Sequence, residues 1–206
     1  MLINFAVSDA EAAKLYVSGH LGAAFADDSD WGIPSELDKG MSIAFEYDAG
    51  WSGLAAVGYE FEKFRFEAEF GYQGNGLDAI SLTHNGESRS QSMSGDLNLL
   101  TLMVNGYYSF INSSKFTPYV TMGLGAAYVE MKDLVPSSSE DKMNFYDTVF
   151  AYQFGAGVEY GVSEQLFLDL RYRYLATSDV ALGDIEEEID MEFASHNIYA
   201  GLRYQF

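Results

Sequence analysis

The stretch Phe64-Arg-Phe-Glu-Ala-Glu-Phe-Gly-Tyr-Gln73 decides the fold. Phe64, Phe66, Ala68, Phe70 and Tyr72 are apolar or aromatic, and they are interleaved with Arg65, Glu67, Glu69 and Gln73. A period of two is the mark of an extended strand whose two faces meet different surroundings.

The same alternation recurs in seven more segments. From about 14 to 26, Leu15, Val17, Leu21, Ala23 and Phe25 oppose Tyr16, Ser18, His20 and Gly22. From about 41 to 61 the odd positions are greasy throughout (Ile43, Phe45, Tyr47, Trp51, Ala55, Val57, Tyr59, Phe61), and the even ones include Ser42, Glu46, Asp48, Ser52 and Glu60. After a tight turn at Glu62-Lys63 comes the opening stretch. From about 97 to 110, Leu100, Leu102, Val104, Tyr108 and Phe110 oppose Asn98, Thr101, Asn105, Tyr107 and Ser109, with one imperfect phase near the start. From about 116 to 130, Val120, Met122, Leu124, Ala126 and Tyr128 oppose Tyr119, Thr121, Gly123 and Gly125; Pro118 demands a gap in the ladder near a strand end. From about 148 to 161, Phe150, Tyr152, Phe154, Ala156, Val158 and Tyr160 oppose Gln153, Gly155, Gly157 and Glu159. The last two segments set Leu166, Leu168, Leu170, Tyr172 and Tyr174 against Asp169, Arg171 and Arg173, and Ile198, Ala200, Leu202, Tyr204 and Phe206 against Asn197, Tyr199, Arg203 and Gln205.

Long polar connections (about 27 to 40, 74 to 95, 132 to 147 and 175 to 192) alternate with short ones (62 to 63, 111 to 115 and 162 to 165), so one end carries all the large loops. No run of eighteen apolar residues occurs, which excludes a membrane-spanning helix. The face opposite the aromatics carries Glu67, Glu69, Asp169, Arg171 and Arg173, whereas a soluble barrel would turn its greasy face inward and overfill an eight-strand interior with rings. The pattern predicts an all-β, closed antiparallel up-and-down transmembrane barrel of eight strands, with short periplasmic turns and long extracellular loops. Aromatics beside the short turns, including Tyr59, Phe61, Phe64, Phe66, Tyr108, Phe110, Phe116, Tyr160, Tyr204 and Phe206, form an interfacial girdle. The barrel is expected over 14–206. Residues 1–13 read as a leader or periplasmic tail, with Ala10-Glu11-Ala12 like a small-residue cleavage site.

Composition narrows function. A net charge of -20 and a pI near 4.2 argue against nucleic acid as a partner. Aromatic residues at 16%, with Gly 20 and Pro 3, favour strands, and the absence of Cys fits an exported chain without requiring one.

The last ten residues, Asn197-Ile-Tyr-Ala-Gly-Leu-Arg-Tyr-Gln-Phe206, resemble the C-terminal strand of bacterial outer-membrane proteins. Phe116-Thr-Pro-Tyr-Val-Thr-Met-Gly-Leu-Gly-Ala-Ala-Tyr-Val129, Phe150-Ala-Tyr-Gln-Phe-Gly-Ala-Gly-Val-Glu-Tyr160 and Leu168-Asp-Leu-Arg-Tyr-Arg-Tyr174 are similar to strands of the opacity-type porin and surface-antigen family. The resemblance implies an integral bacterial outer-membrane protein. It implies too that Phe206, Tyr204 and Leu202 act as an assembly signal read by the barrel-assembly machinery. Family members serve as adhesins, small porins or envelope-structuring proteins, and the four long loops select none of these.

Nine inward-facing charges, Glu60, Arg65, Glu67, Glu69, Glu159, Asp169, Arg171, Arg173 and Arg203, include four of the chain's five Arg residues and suggest guanidinium forks holding carboxylates in a narrow lumen. A salt-bridge filling is favoured over a pore, because eight strands leave room for side chains only. Of the three histidines, His20 and Ser18 share an inward face, Ser195 and His196 face opposite ways, and His84 sits in a long loop. The expected role is non-enzymatic, structural or adhesive, with a small transport channel as the alternative, a lipid A-modifying enzyme behind it, and no cofactor. Outer-membrane lipid and lipopolysaccharide are the expected surroundings, and any host or surface ligand is unidentified.

Asp27, Asp28 and Asp30 in the first loop, and Asp184, Glu186, Glu187, Glu188, Asp190 and Glu192 in the last, are candidate oxygen ligands for calcium or magnesium. Net charge is -4 over 27–40, -1 over 74–95, -3 over 133–147 and -7 over 175–192, or -15 of the -20. Divalent cations bridging these loops to lipid phosphates, and a basic protein partner, are the expectations that follow.

Overall fold

The computed structural model describes residues 13–27, 29–32, 41–84, 87–136, 143–178, 180–181, 190–191 and 193–206. Its strands are β1 (Lys14–Ala26), β2 (Ser29–Gly32), β3 (Met41–Tyr47), β4 (Gly50–Phe61), β5 (Phe64–His84), β6 (Glu87–Ser109), β7 (Phe116–Pro136), β8 (Met143–Gly161), β9 (Leu166–Thr177), β10 (Val180–Ala181), β11 (Asp190–Met191) and β12 (Ala194–Gln205).

Eight of these make a closed wall in the order β1, β4, β5, β6, β7, β8, β9 and β12, each antiparallel to the next. The seam is β1 against β12, running from Tyr16↔Gln205 to Ala26↔Ser195. Closure leaves no open edge in the wall, the condition for crossing hydrocarbon with strands. The alternation does the sorting: Leu21, Leu102 and Val104 are 70%, 65% and 67% exposed on the outside, while Arg65, Glu67 and Glu69 are buried inside. An apolar belt that continuous on an outer surface has bilayer, not water, as its solvent.

The turn rim is tight. Phe61 pairs with Phe64 across Glu62-Lys63, and Glu62 (φ 52°) adopts the left-handed backbone that a two-residue hairpin calls for.

At the opposite rim the ladders run on. β5 and β6 stay paired from Gly74↔Asn98 to His84↔Glu87, so most of the 74–95 connection is a β-ribbon and His84 ends a strand. β7 and β8 likewise remain paired to Leu134↔Met143, within the connection read as 132–147. The register shifts, between Glu46/Tyr47, Leu77/Ala79, Ser94/Asp96 and Met131/Leu134, all fall at this rim. Bulges there end the regular barrel and re-aim the strands leaving it.

One bulge corrects a phase. Tyr47 pairs with Leu77 and Trp51 with Gly74, so four steps on one strand meet three on the other. The faces exchange across Asp48-Ala49: Tyr47 packs against the inner apolar cluster, while Trp51 is exposed on the wall. The side chains of Ser42, Ile43, Phe45 and Glu46 lie outside the described residues. Asn98 is a second correction. It shares the outward face with Leu100, and the inward positions beside it are Leu97 and Leu99.

Those two leucines belong to a layer the alternation hides. Leu97, Leu99, Met103, Val129, Leu175 and Phe193 form a buried apolar cluster inside the barrel, toward the loop rim. The lumen is therefore charged in its turn-rim half, while the half above it combines this apolar cluster with uncharged polar side chains, among them Ser52, Gln73, Asn75, Ser195 and Asn197.

Candidate functional site

All nine inward charges point into the lumen, and neighbouring strands bring them together. Glu159 on β8 is the lower hub: Arg203 donates to it through Nε (2.9 Å) and Nη2 (3.0 Å), and Arg65 donates through Nη1. Arg203 also reaches Glu60 through Nη1 (2.7 Å), so one guanidinium ties β12 to β4 and β8. Glu69 is the upper hub, accepting from Arg171 (3.1 Å), Arg173 (3.4 Å) and Gln153 (3.2 Å). Arg171 stands 3.8 Å from Glu67 and 3.4 Å from Asp169.

The parity of the strands had placed Tyr16, Tyr107, Tyr119 and Tyr199 inside, but not their chemistry. Glu67 accepts from the hydroxyls of Tyr16 (3.0 Å) and Tyr107, and from Nδ2 of Asn105 (3.2 Å). Asp169 accepts from the Tyr119 hydroxyl (2.8 and 2.9 Å) and holds Nε2 of His20 at 2.7 Å. The rings also stack on the cations: Arg65 lies 4.7 Å from the Tyr107 centroid and 4.9 Å from that of Tyr119, and Arg203 lies 4.1 Å from Phe167. A carboxylate taken out of water needs several donors to offset its desolvation, and phenols supply them without adding charge.

Glycines give these large groups their room. A Cβ on Gly201 would sit 2.1 Å from Cδ2 of His20, and one on Gly157 would sit 2.4 Å from the Tyr119 hydroxyl. We expect Gly201→Ala to cost about 1–3 kcal/mol by driving His20 off Asp169. Gly106→Ala, where the nearest atom is 3.9 Å away, should be neutral or mildly stabilising. Urea titration of the refolded barrel checks both.

Other candidates are placed apart. His20 is engaged inside the lumen and so cannot serve lipid. Ser195 also faces inward, donating to Gln73 (3.2 Å), while His196 faces outward between the Tyr172 hydroxyl (2.6 Å) and Asp27 (3.4 Å). Phe206 and Tyr204 meet edge to face at 5.2 Å on the outer wall of the turn rim, close to Leu202. Asp28, Asp184, Glu186, Glu187, Glu188 and Glu192 lie outside the described residues, and the side chains of Asp30 and Asp190 are likewise not described. Among the described residues no three acids or histidines converge as a metal site.

The outer wall carries aromatics at both rims. Besides the turn-rim girdle, Trp51 and Tyr72 (4.9 Å), Tyr128 and Tyr146 (6.5 Å) and Tyr174 and His196 (5.2 Å) form contacts at the loop rim. Two girdles bracketing an apolar band are the pattern of an outer-membrane barrel in its bilayer.

Comparison with known proteins agrees. The chain is 25% identical over 233 residues to the outer membrane protein PagN of Salmonella typhimurium, covering 100% of this chain and 95% of that protein. In fold it is similar to the crystal structure of Neisserial surface protein A (TM-score 0.59, 20% identity, 95% of this chain and 100% of that one). It is similar also to the outer membrane protein OprG from Pseudomonas aeruginosa (TM-score 0.60, 14% identity, 95% and 96% of the two chains). The family model for the outer membrane protein beta-barrel domain matches residues 1–206. The chain belongs to that family and is an integral protein of the bacterial outer membrane.

Proposed function

We propose that this barrel is an anchor rather than a channel, and that the protein's role is non-enzymatic, structural or adhesive, carried by its acidic extracellular hairpins. The observation that carries the reading is the filled interior: a network of paired charges below, and packed apolar and uncharged polar side chains above. Eight strands leave room for side chains and little else. What the molecule offers a partner is then outside. The β5–β6 and β7–β8 ladders continue into the loop rim as paired ribbons, so the ends displayed there are preorganised, which lowers the ordering cost of binding. With most of the net charge in the loop-end connections, the partner surface that suits them is basic, and its capture weakens with salt.

Reconstitution in planar bilayers tests the anchor reading. Wild type should show no stable openings; steady conductance that changes in Arg171→Ala or Glu69→Gln would instead make the protein a channel. The lipid-modifying alternative has less to stand on, because the outward His196 has Tyr172 and Asp27 as partners and its neighbour Ser195 is turned inward.

A further inference from the structure

The loop-rim girdle is broken by a polar recess on the outer wall of β5, β6 and β7. Tyr72, Asn98, Leu100, Tyr128, Glu130 and Lys132 line a cavity of about 150 Å³. Cross-strand pairing sets Leu100 beside Tyr128, Asn98 beside Glu130, and the exposed Asp96 beside Lys132. The Tyr72 hydroxyl donates to Oδ1 of Asn98 (2.6 Å) and fixes the amide, which can still offer a ligand its two Nδ2 hydrogens. Nζ of Lys132 lies 2.8 Å from Glu130, with about half of the lysine side chain exposed.

The position says what lies against it. Just below are Phe70 and Leu102, both exposed on the apolar belt, and the recess sits in the girdle where belt gives way to water. At this end of an outer-membrane barrel the neighbouring headgroups are those of the extracellular leaflet. The recess holds two phenol rings, an amide, a carboxylate and one ammonium. Rings pack against the face of a pyranose, carboxylates accept from hydroxyls, and an ammonium meets a phosphate. A phosphate alone would be poorly served, because Asp96 and Glu130 outnumber Lys132.

We infer that the recess between Tyr72, Asn98, Tyr128, Glu130 and Lys132 binds the phosphorylated sugar headgroup of an outer-leaflet glycolipid. Tyr128 and Tyr72 pack on the sugar, Asn98 and Glu130 hydrogen-bond its substituents, and Lys132 pairs with a phosphate on it. This rests on the membrane placement of the barrel and not on the adhesive role of its hairpins.

The test uses the full refolded chain in detergent, titrated with three lipids: lipid A with its phosphates, the same lipid A dephosphorylated, and phosphatidylglycerol. Bound lipid is counted by native mass spectrometry, and heat-shifted gel mobility confirms that each variant is folded. Wild type should bind phosphorylated lipid A most tightly, dephosphorylated lipid A next and phosphatidylglycerol least. Tyr128→Ala should weaken both lipid A forms by roughly tenfold, the scale of one lost ring contact with its buried area. Lys132→Gln should bring the phosphorylated form down to the level of the dephosphorylated one. Tyr72→Phe, which removes only the bond to Asn98, should weaken both forms less than Tyr128→Ala does. Lys115→Gln, at the turn rim, should change nothing. Phosphatidylglycerol bound as tightly as lipid A, unchanged binding in Tyr128→Ala and Lys132→Gln, or an equal loss in Lys115→Gln would each overturn the assignment.

Discussion

Replacing Arg171 with Ala is expected to destabilise the folded barrel by about 3–5 kcal/mol, far more than loss of a surface ion pair, which is worth about 1 kcal/mol or less. Arg171 is buried, with Glu69 at 3.1 Å, Asp169 at 3.4 Å and Glu67 at 3.8 Å. Truncation removes the cation that all three carboxylates share away from water. Glu69 keeps Arg173, Asp169 keeps His20 and Tyr119, and Glu67 keeps its tyrosines, but the charge that Arg171 offset is left without its counterpart, and that is the source of the cost. The network itself adds little stability relative to an apolar filling; what it specifies is a single arrangement of strands. Arg171→Met should therefore also destabilise, because it repairs the packing and not the charge. Unfolding in urea, followed by tryptophan fluorescence and heat-shifted mobility on gels, gives the value. A change under about 1 kcal/mol in Arg171→Ala would mean that water already reaches these carboxylates.

Deleting Phe206 is expected to lower insertion into the outer membrane of living cells severely while leaving the stability of barrel already folded nearly unchanged. The Phe206 ring is 65% exposed on the wall and its backbone N–H donates to the Leu15 carbonyl at 2.9 Å. One terminal hydrogen bond and one exposed ring contribute about 1 kcal/mol in the folded state. A large effect on insertion must then arise before folding, when the C-terminal strand with Phe206, Tyr204 and Leu202 is still available to the assembly machinery. Comparing membrane-inserted yield in cells with urea midpoints in vitro separates the two. Equal insertion of the two forms would remove the signal role from Phe206.

Much of this architecture is legible in the sequence, because a membrane wall imposes a strict rule on every second side chain. Where that rule holds, from Phe64 to Tyr72 or Leu166 to Tyr174, the strand and its facing can be read directly. It fails where both faces are greasy: Leu97, Leu99 and Leu100 carry no parity, so Asn98 was expected inside and lies outside. It fails again across Asp48-Ala49, since a bulge inverts the phase without leaving a mark in composition. Beyond the rim the rule lapses altogether, and the ribbon from Gly74 to His84 looks like a loop because no lipid asks for a greasy face there. The charges of the lumen were legible as a set. Their partners Tyr16, Tyr107 and Tyr119 were visible only as inward rings, because nothing local in a sequence tells a filler from a donor.

The seam between β1 and β12 has a consequence for how the molecule comes into being. Tyr16 pairs with Gln205, so closing the seam joins positions almost the whole chain apart and carries the largest loop-closure cost in the wall. Until that contact exists, two rows of amides and carbonyls stand open, and hydrocarbon penalises each of them. A partly built barrel thus has no comfortable resting place in the bilayer. Until the seam closes, its two edge strands need water or a helper protein to satisfy those groups.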